Sequence, residues 1–194
     1  MKKRWFSIIL LFLLFSLTVG SVSAQDYLFM VEREEVNLYV NEDGSASIEY
    51  TLDFVNLPGS HAIDFVDIGL PNDNYDQSSI DAKINGIPIL HIQPSEYVSP
   101  GIELGLGGDA IPSDQTGQVH VMIGTVRDIL YNSDIEDYAS IEFSPSWFGE
   151  QYCFGDTDLT FTIFLPAGMN SEEPRYHEPQ NWVGSTDPNE SGFD

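Results

Sequence analysis

The stretch Ala46-Ser47-Ile48-Glu49-Tyr50-Thr51-Leu52-Asp53-Phe54 decides the fold class. Every second residue is apolar, and Ser47, Glu49, Thr51 and Asp53 fall between them. Successive side chains of an extended chain point to opposite faces, so this pattern sets one face of a strand in a core and the other in water. Upstream, Val36, Leu38 and Val40 alternate with Asn37 and Tyr39, and Asn41-Glu42-Asp43-Gly44 separates the two runs. An Asp-Gly pair closing so short a link supplies the positive φ that a hairpin turn demands.

A second hairpin is centred on Asn85-Gly86, with Ile80, Ala82 and Ile84 leading in and Ile87 and Ile89 leading out. A two-residue turn there pairs Ile84 with Ile87 and Ala82 with Ile89, all on one face. The same register sets His91 opposite Ile80, on the apolar side. The alternation recurs in Ile63, Phe65 and, after a slip, Ile68; in Ile102, Leu104 and Leu106; in Val119, Val121 and Ile123; in Ile141 and Phe143; and in Leu159, Phe161, Ile163 and Leu165. Only residues 126–138 leave room for a short helix. The pattern predicts an all-β fold, an antiparallel β-sandwich of Ig-like or jelly-roll-like type with eight or nine short strands, over residues 25–165. Residues 166–194, with Pro166, Pro174, Pro179 and Pro188 among acids and no periodicity, read as an irregular tail or linker.

Residues 1–24 read as a secretory signal peptide. Lys2-Lys3-Arg4 precede an apolar run from Trp5 to Val19, and Val22 and Ala24 stand at the −3 and −1 positions of a cleavage site before Gln25. The apolar run is short for a membrane span of about twenty residues. The expected location is therefore exported: extracellular, at the cell surface or periplasmic. Cleavage removes three of the seven basic residues and none of the 31 acidic ones, so the formal charge moves from −24 to −27. Such a charge opposes binding to nucleic acid or directly to anionic lipid, both of which need clustered Lys and Arg. The single cysteine excludes an internal disulfide framework and a Cys-rich zinc site.

The acids and aromatics hold the candidate chemistry. Asn72-Asp73-Asn74-Tyr75-Asp76 offers hard oxygens at Asn72, Asn74 and Asp76, the ligand type that Ca²⁺ takes. Gln77 and Lys83 break the EF-hand pattern, so a cation there would use a different loop geometry. Asp134-Ile135-Glu136-Asp137 and Asp156-Thr157-Asp158 read as solvated surface. No H-E-x-x-H and no G-x-S-x-G occurs, and His120, between Val119 and Val121, should face solvent. Cys153 reads as a structural thiol, with Glu150 and Asp156 nearby to raise its pKa. Trp147, Phe148 and Tyr152 lie in one loop between strands, either as a stacking platform for a sugar or as a plug for the end of the sandwich. Trp182 marks a point where the tail meets the domain.

Val36 through Ala46 and on to Phe54 resembles the opening of the exported domain of an uncharacterised family of bacterial and archaeal membrane proteins. Phe143-Ser144-Pro145-Ser146-Trp147-Phe148, Gly155-Asp156-Thr157-Asp158-Leu159 and Leu165-Pro166-Ala167-Gly168 are similar to domains of the same kind. The resemblance implies a signal peptide, an exported β-rich N-terminal domain and later transmembrane helices; it brings no catalytic residues. The expected function is an exported, non-catalytic β-sandwich ectodomain or interaction module. Its partner is a protein or glycan of the cell envelope, and it needs no cofactor. The alternatives are a carbohydrate- or Ca²⁺-dependent binding module and a cell-envelope hydrolase.

Overall fold

A computed structural model describes residues 27–133 and 138–169. The signal segment 1–24, the acidic run 134–137 and the tail from residue 170, Trp182 included, lie outside the described residues.

Eleven strands are described: β1 (Phe29–Val40), β2 (Ala46–Asn56), β3 (Phe65–Gly69), β4 (Ile80–Ile84), β5 (Ile87–Pro88), β6 (His91–Pro94), β7 (Gly101–Gly105), β8 (Thr116–Val126), β9 (Leu130–Asn132), β10 (Ala139–Ile141) and β11 (Asp158–Phe164). One layer is a six-stranded sheet in the order β11-β1-β2-β8-β4-β5; the other is β3-β7-β6, with the β9-β10 ribbon beside them. This is the sandwich-like all-β fold that the alternation predicts, with two strands more than the upper expectation because β5 and β9 are very short. Where a helix had room, β9 forms instead. Only two single-turn 3-10 segments, Gln77–Ser79 and Gly107–Asp109, interrupt the β structure among the described residues.

Both hairpins form in the expected register. Val40 pairs with Ala46 across a turn in which Gly44 has φ +81. Ile84 pairs with Ile87 across Asn85 (φ 51) and Gly86 (φ 81), and the Ile89 N–H donates to the Ala82 carbonyl at 2.8 Å. Two positive φ values in succession are the signature of a type I′ turn, whose twist matches that of the strands. Burial alternates without a break along β2, and Ile48, Tyr50, Leu52 and Phe54 meet Ile68, Ile102, Leu104 and Ile123 in one shared core.

Three sequence expectations fail on tertiary grounds. The β4–β5 pairing ends just past Pro88, with the Ile89-to-Ala82 bond as its last rung, and the chain then crosses to the second layer. His91 therefore pairs with Gly105 rather than facing Ile80, and its exposed ring lies where a Cβ on residue 105 would come within 2.7 Å. In β3 the buried residues are Val66 and Ile68, while Phe65 turns outward and stacks on Tyr97 at 5.8 Å. Last, β11 returns parallel to β1, from Arg33↔Asp158 to Tyr39↔Phe164, the one parallel strand pair among the described residues. Its alternating Leu159, Phe161 and Ile163 are exposed rather than buried.

Asn56 fastens the two layers. It is fully buried, and its Nδ2 donates to the carbonyls of His61 and Ile111, each at 2.8 Å, while Oδ1 accepts from the Ser60 hydroxyl. Asn56→Ala removes three hydrogen bonds from a fully buried position, and a denaturant titration should show a loss of about 2–3 kcal/mol.

Candidate functional site

Of the three aromatics that sequence groups together, the structure separates two roles. Phe148 turns inward and packs edge-on to Phe29 at 5.6 Å and Phe54 at 5.5 Å, closing one end of the core. Trp147, next to it, is 80% exposed. Tyr152 is also exposed, and its carbonyl accepts the Phe29 N–H at 2.9 Å, which ties the loop to the start of β1. Ser146 is buried between them, its Oγ accepting the Gly69 N–H at 3.1 Å.

The side chains proposed for a cation are engaged by protein groups, some in the same loop and some in the turn after β8. Asn72 Nδ2 donates to the carbonyls of Arg127 and Asp128 at 2.9 and 3.1 Å, and its Oδ1 accepts the Asn74 N–H at 2.8 Å. Asn74 Nδ2 donates to the Asp128 carboxylate. Asp76 Oδ1 accepts the Ser78 N–H at 2.9 Å and the Ser78 hydroxyl at 2.6 Å, capping the 3-10 turn. These bonds lower the Asp76 pKa, and the Arg127 guanidinium adds to the effect. The same arginine also favours the ionised form of Asp43, so this end of the molecule holds its own counter-charge.

A more unusual group lies under β1. Phe29 and Val31 are buried on one phase of the alternation, and Val36 and Leu38 on the other. A register shift between Val31 and Arg33 reconciles them: Glu32 and Arg33 both face water, and the strand resumes one step out of phase. The consequence is that Glu34 points into the core, 5% exposed, between Leu52 on β2 and Leu159 on β11. Its Oε1 has no hydrogen-bond partner among the described residues, and burial pushes its pKa up to about 7. The Tyr50 hydroxyl, a diagonal neighbour on β2, is likewise unpartnered; burial and then Glu34 push its pKa upward, opposed by the Ser146 backbone. Cys153 completes the group, its thiol pKa raised chiefly by burial and in smaller part by Glu34, against the opposing Val31 backbone. The acids that sequence placed beside it, Glu150 and Asp156, are not the cause.

Above Glu34 the sheet is open. Leu159, Phe161, Ile163 and Leu165 are 50%, 37%, 43% and 39% exposed. Phe143 stacks on Phe161 at 5.2 Å, and on the opposite face Phe164 stacks on Tyr39 at 4.7 Å. The second layer covers the middle of the large sheet and stops short of this edge.

Two polar constellations arise from register alone. On the outer face of the large sheet, Glu49 accepts from the Tyr39 hydroxyl at 2.9 Å and meets His120 Nε2 at 2.8 Å, which lowers the Glu49 pKa. His120 thus faces outward as expected, half-covered by its contact with Glu49. On the second layer, Asp67, Glu103 and Gln93 stand side by side across β3, β7 and β6, and Gln93 Nε2 donates to Glu103 at 3.0 Å. Burial raises the Asp67 pKa, Glu103 adds to the rise, and the Ser95 hydroxyl offsets part of it. Among the described residues, no three His, Cys, Asp or Glu side chains converge as metal ligands would.

No family model matches the chain, and no curated protein matches it. Among solved structures, an M1 zinc metallopeptidase from Deinococcus radiodurans is similar with TM-score 0.36 at 15% identity, over 50% of this chain and 20% of its own. A two-domain M1 zinc metallopeptidase bound to L-arginine gives 0.45 at 14% identity, over 72% and 33%. Legionella pneumophila aminopeptidase A in complex with aspartic acid gives 0.37 at 8% identity, over 58% and 13%. The chain spans a third or less of each of these structures, and likeness at this level carries no functional argument.

Proposed function

We propose that this chain is an exported, non-catalytic β-sandwich module that recognises a protein of the cell envelope. The observation that carries the reading is the apolar row of Leu159, Phe161 and Ile163 on β11 with Leu165 just after it, four large side chains between 37% and 50% exposed on a protein of net charge −24. A contiguous apolar strip on so acidic a chain favours a partner surface over bulk water. The acidic shell limits self-association and steers the choice of partner. The signal segment and the resemblance to exported domains of membrane proteins supply the location.

The test is a photo-crosslinking side chain placed at position 163 and, separately, at position 118 on the polar face, in the producing cell. One discrete adduct at 163 and none at 118 is the expected result. No adduct at 163, or the same adduct at both positions, would sink the reading.

The exposure of Trp147 favours a second reading, a sugar ring stacked on its indole. Glycan-dependent quenching of tryptophan fluorescence, lost in Trp147→Ala and unchanged between Ca²⁺ and EDTA, would support it without the loop at Asn72, Asn74 and Asp76. Loss of the quenching in EDTA would bring that loop back as a Ca²⁺ site.

A further inference from the structure

We propose that the free edge of β11 accepts an added strand: an extended segment of a partner protein, with alternating apolar side chains and with Lys or Arg at its ends. The proposal rests on the reading of β11 as a recognition surface and adds how the partner docks and what chemistry it has.

β11 is an outermost strand of the large sheet, and among the described residues no strand pairs with its far side. An unpaired row of N–H and C=O groups is a template for another strand, and exposed edges are commonly blunted by Pro, by Lys, by bulges or by shortness. The opposite edge of the same sheet is blunted: β5 has two residues and ends in Pro88. In the second layer, β6 is four residues long and ends in Pro94. β11 carries none of these devices. Asp-Leu-Thr-Phe-Thr-Ile-Phe runs for seven residues without Pro, Gly or Lys, and its pairing with β1 has no register shift. From Thr160 onward every residue is one that strands favour. An added strand would bring apolar side chains to the level of Leu159, Phe161 and Ile163 while its backbone completes the ladder.

Charge selects the occupant. Asp156 and Asp158 flank the start of β11, and Glu142 adjoins Phe143, which stacks on Phe161; all three acids are exposed. Lys83 pairs with Asp81 at 3.4 Å and Arg127 lies in the field of Asp43 and Asp76, both away from this edge; Arg33, beside Asp158, gives its direct bond to Asp53 at 2.7 Å, which leaves Asp156 and Glu142 without a described cation. A segment with basic ends answers the acids that flank the edge. A second copy would set −24 against −24. The chain's own residues 170–194 would bring Glu172, Glu173 and Glu178 to an acidic rim, with Pro174 and Pro179 breaking the ladder.

The probe is a short labelled peptide in which valine alternates with threonine between paired lysines, titrated against the full chain by fluorescence anisotropy. A counterpart with paired glutamates is titrated in parallel. The lysine peptide should bind at least about tenfold more tightly than the glutamate peptide. Ile163→Lys should weaken it by about tenfold without moving the melting temperature, because that side chain is already half in water. Thr116→Lys, on the polar face, should leave affinity unchanged. Equal binding of the two peptides, or full binding by Ile163→Lys, overturns the proposal. A crosslink at position 163 with no peptide binding overturns strand addition and leaves the recognition surface standing. Slow hydrogen exchange, in the chain alone, of the alternate amides within 159–163 that point away from β1 would mean that the edge is already occupied. Light scattering would then separate a second copy from the chain's own tail, and either result excludes the basic partner.

Discussion

Glu34→Gln is expected to raise the melting temperature at pH 8 by roughly 5 °C and to leave it nearly unchanged at pH 4. The reason lies in proton binding. The folded-state pKa of Glu34 is pushed up to about 7 from an ordinary value of 4.5. Below about pH 4.5 the carboxyl is neutral in both states and affects nothing. Between there and pH 7 the unfolded chain releases its proton while the folded chain retains it, so stability falls as pH rises. Above pH 7 the cost is complete, on the order of 2 kcal/mol once solvent screening is allowed for. The carboxylates of Glu49, Asp53 and Asp76 act in the opposite sense. Hydrogen bonds and ion pairs lower their pKa values, so they stabilise the fold above the ordinary carboxylate range and lose that effect as pH falls below it. Wild-type stability should therefore peak near pH 5 and decline toward neutrality, and Glu34→Gln should abolish most of the decline. A decline as steep in the variant as in the wild type would show that general charge repulsion, not Glu34, sets the slope.

Phe54→Ala should cost about 3–5 kcal/mol, lowering the melting temperature by roughly 10 °C. Phe54 is 1% exposed and meets Phe29 at 5.6 Å and Phe148 at 5.5 Å in a closed set of edge-to-face rings. Its loss opens a cavity and also removes the seat of Phe148, so the loop carrying Trp147 loses its anchor. Proteolytic cleavage within residues 144–152 should accelerate in the variant before global unfolding begins. Trp147→Ala, by contrast, removes a side chain already in water and should change stability by no more than about 0.5 kcal/mol. A comparable loss in both variants would mean that Trp147 is part of the plug.

The candidate site is less legible in the sequence than the fold. Trp147, Phe148 and Tyr152 stand out because aromatics in a polar loop are conspicuous, but only the packing of Phe29 and Phe54 shows which of them turns inward. Glu34 lies in the acidic run Glu32-Arg33-Glu34-Glu35, where any single carboxylate looks solvated. A signal was present nonetheless. Phe29 and Val31 occupy odd positions and Val36 and Leu38 even ones, so a single strand from 29 to 40 must change phase, and the residue that follows the change is carried inward. Asp67 and Glu103 have no local cue, because they meet only through the pairing of β3 with β7.

The alternation of apolar residues and the Asp-Gly and Asn-Gly turns determined by themselves that the chain is all-β, where β1 joins β2 and β4 joins β5, and, within those two hairpins, which residues of β2 and β4 share a face. Those features are local: a side-chain period of two and a positive φ depend on neighbours a few residues away. The tertiary structure alone decided which face is covered. Leu159, Phe161 and Ile163 alternate as Ile48, Tyr50 and Leu52 do, yet one row is open and the other buried. The difference comes from where β11 docks, at the margin of a sheet whose covering layer does not reach it. That placement requires closing a loop of more than a hundred residues, between Val40 and Asp158, and periodicity holds no information about contacts so distant.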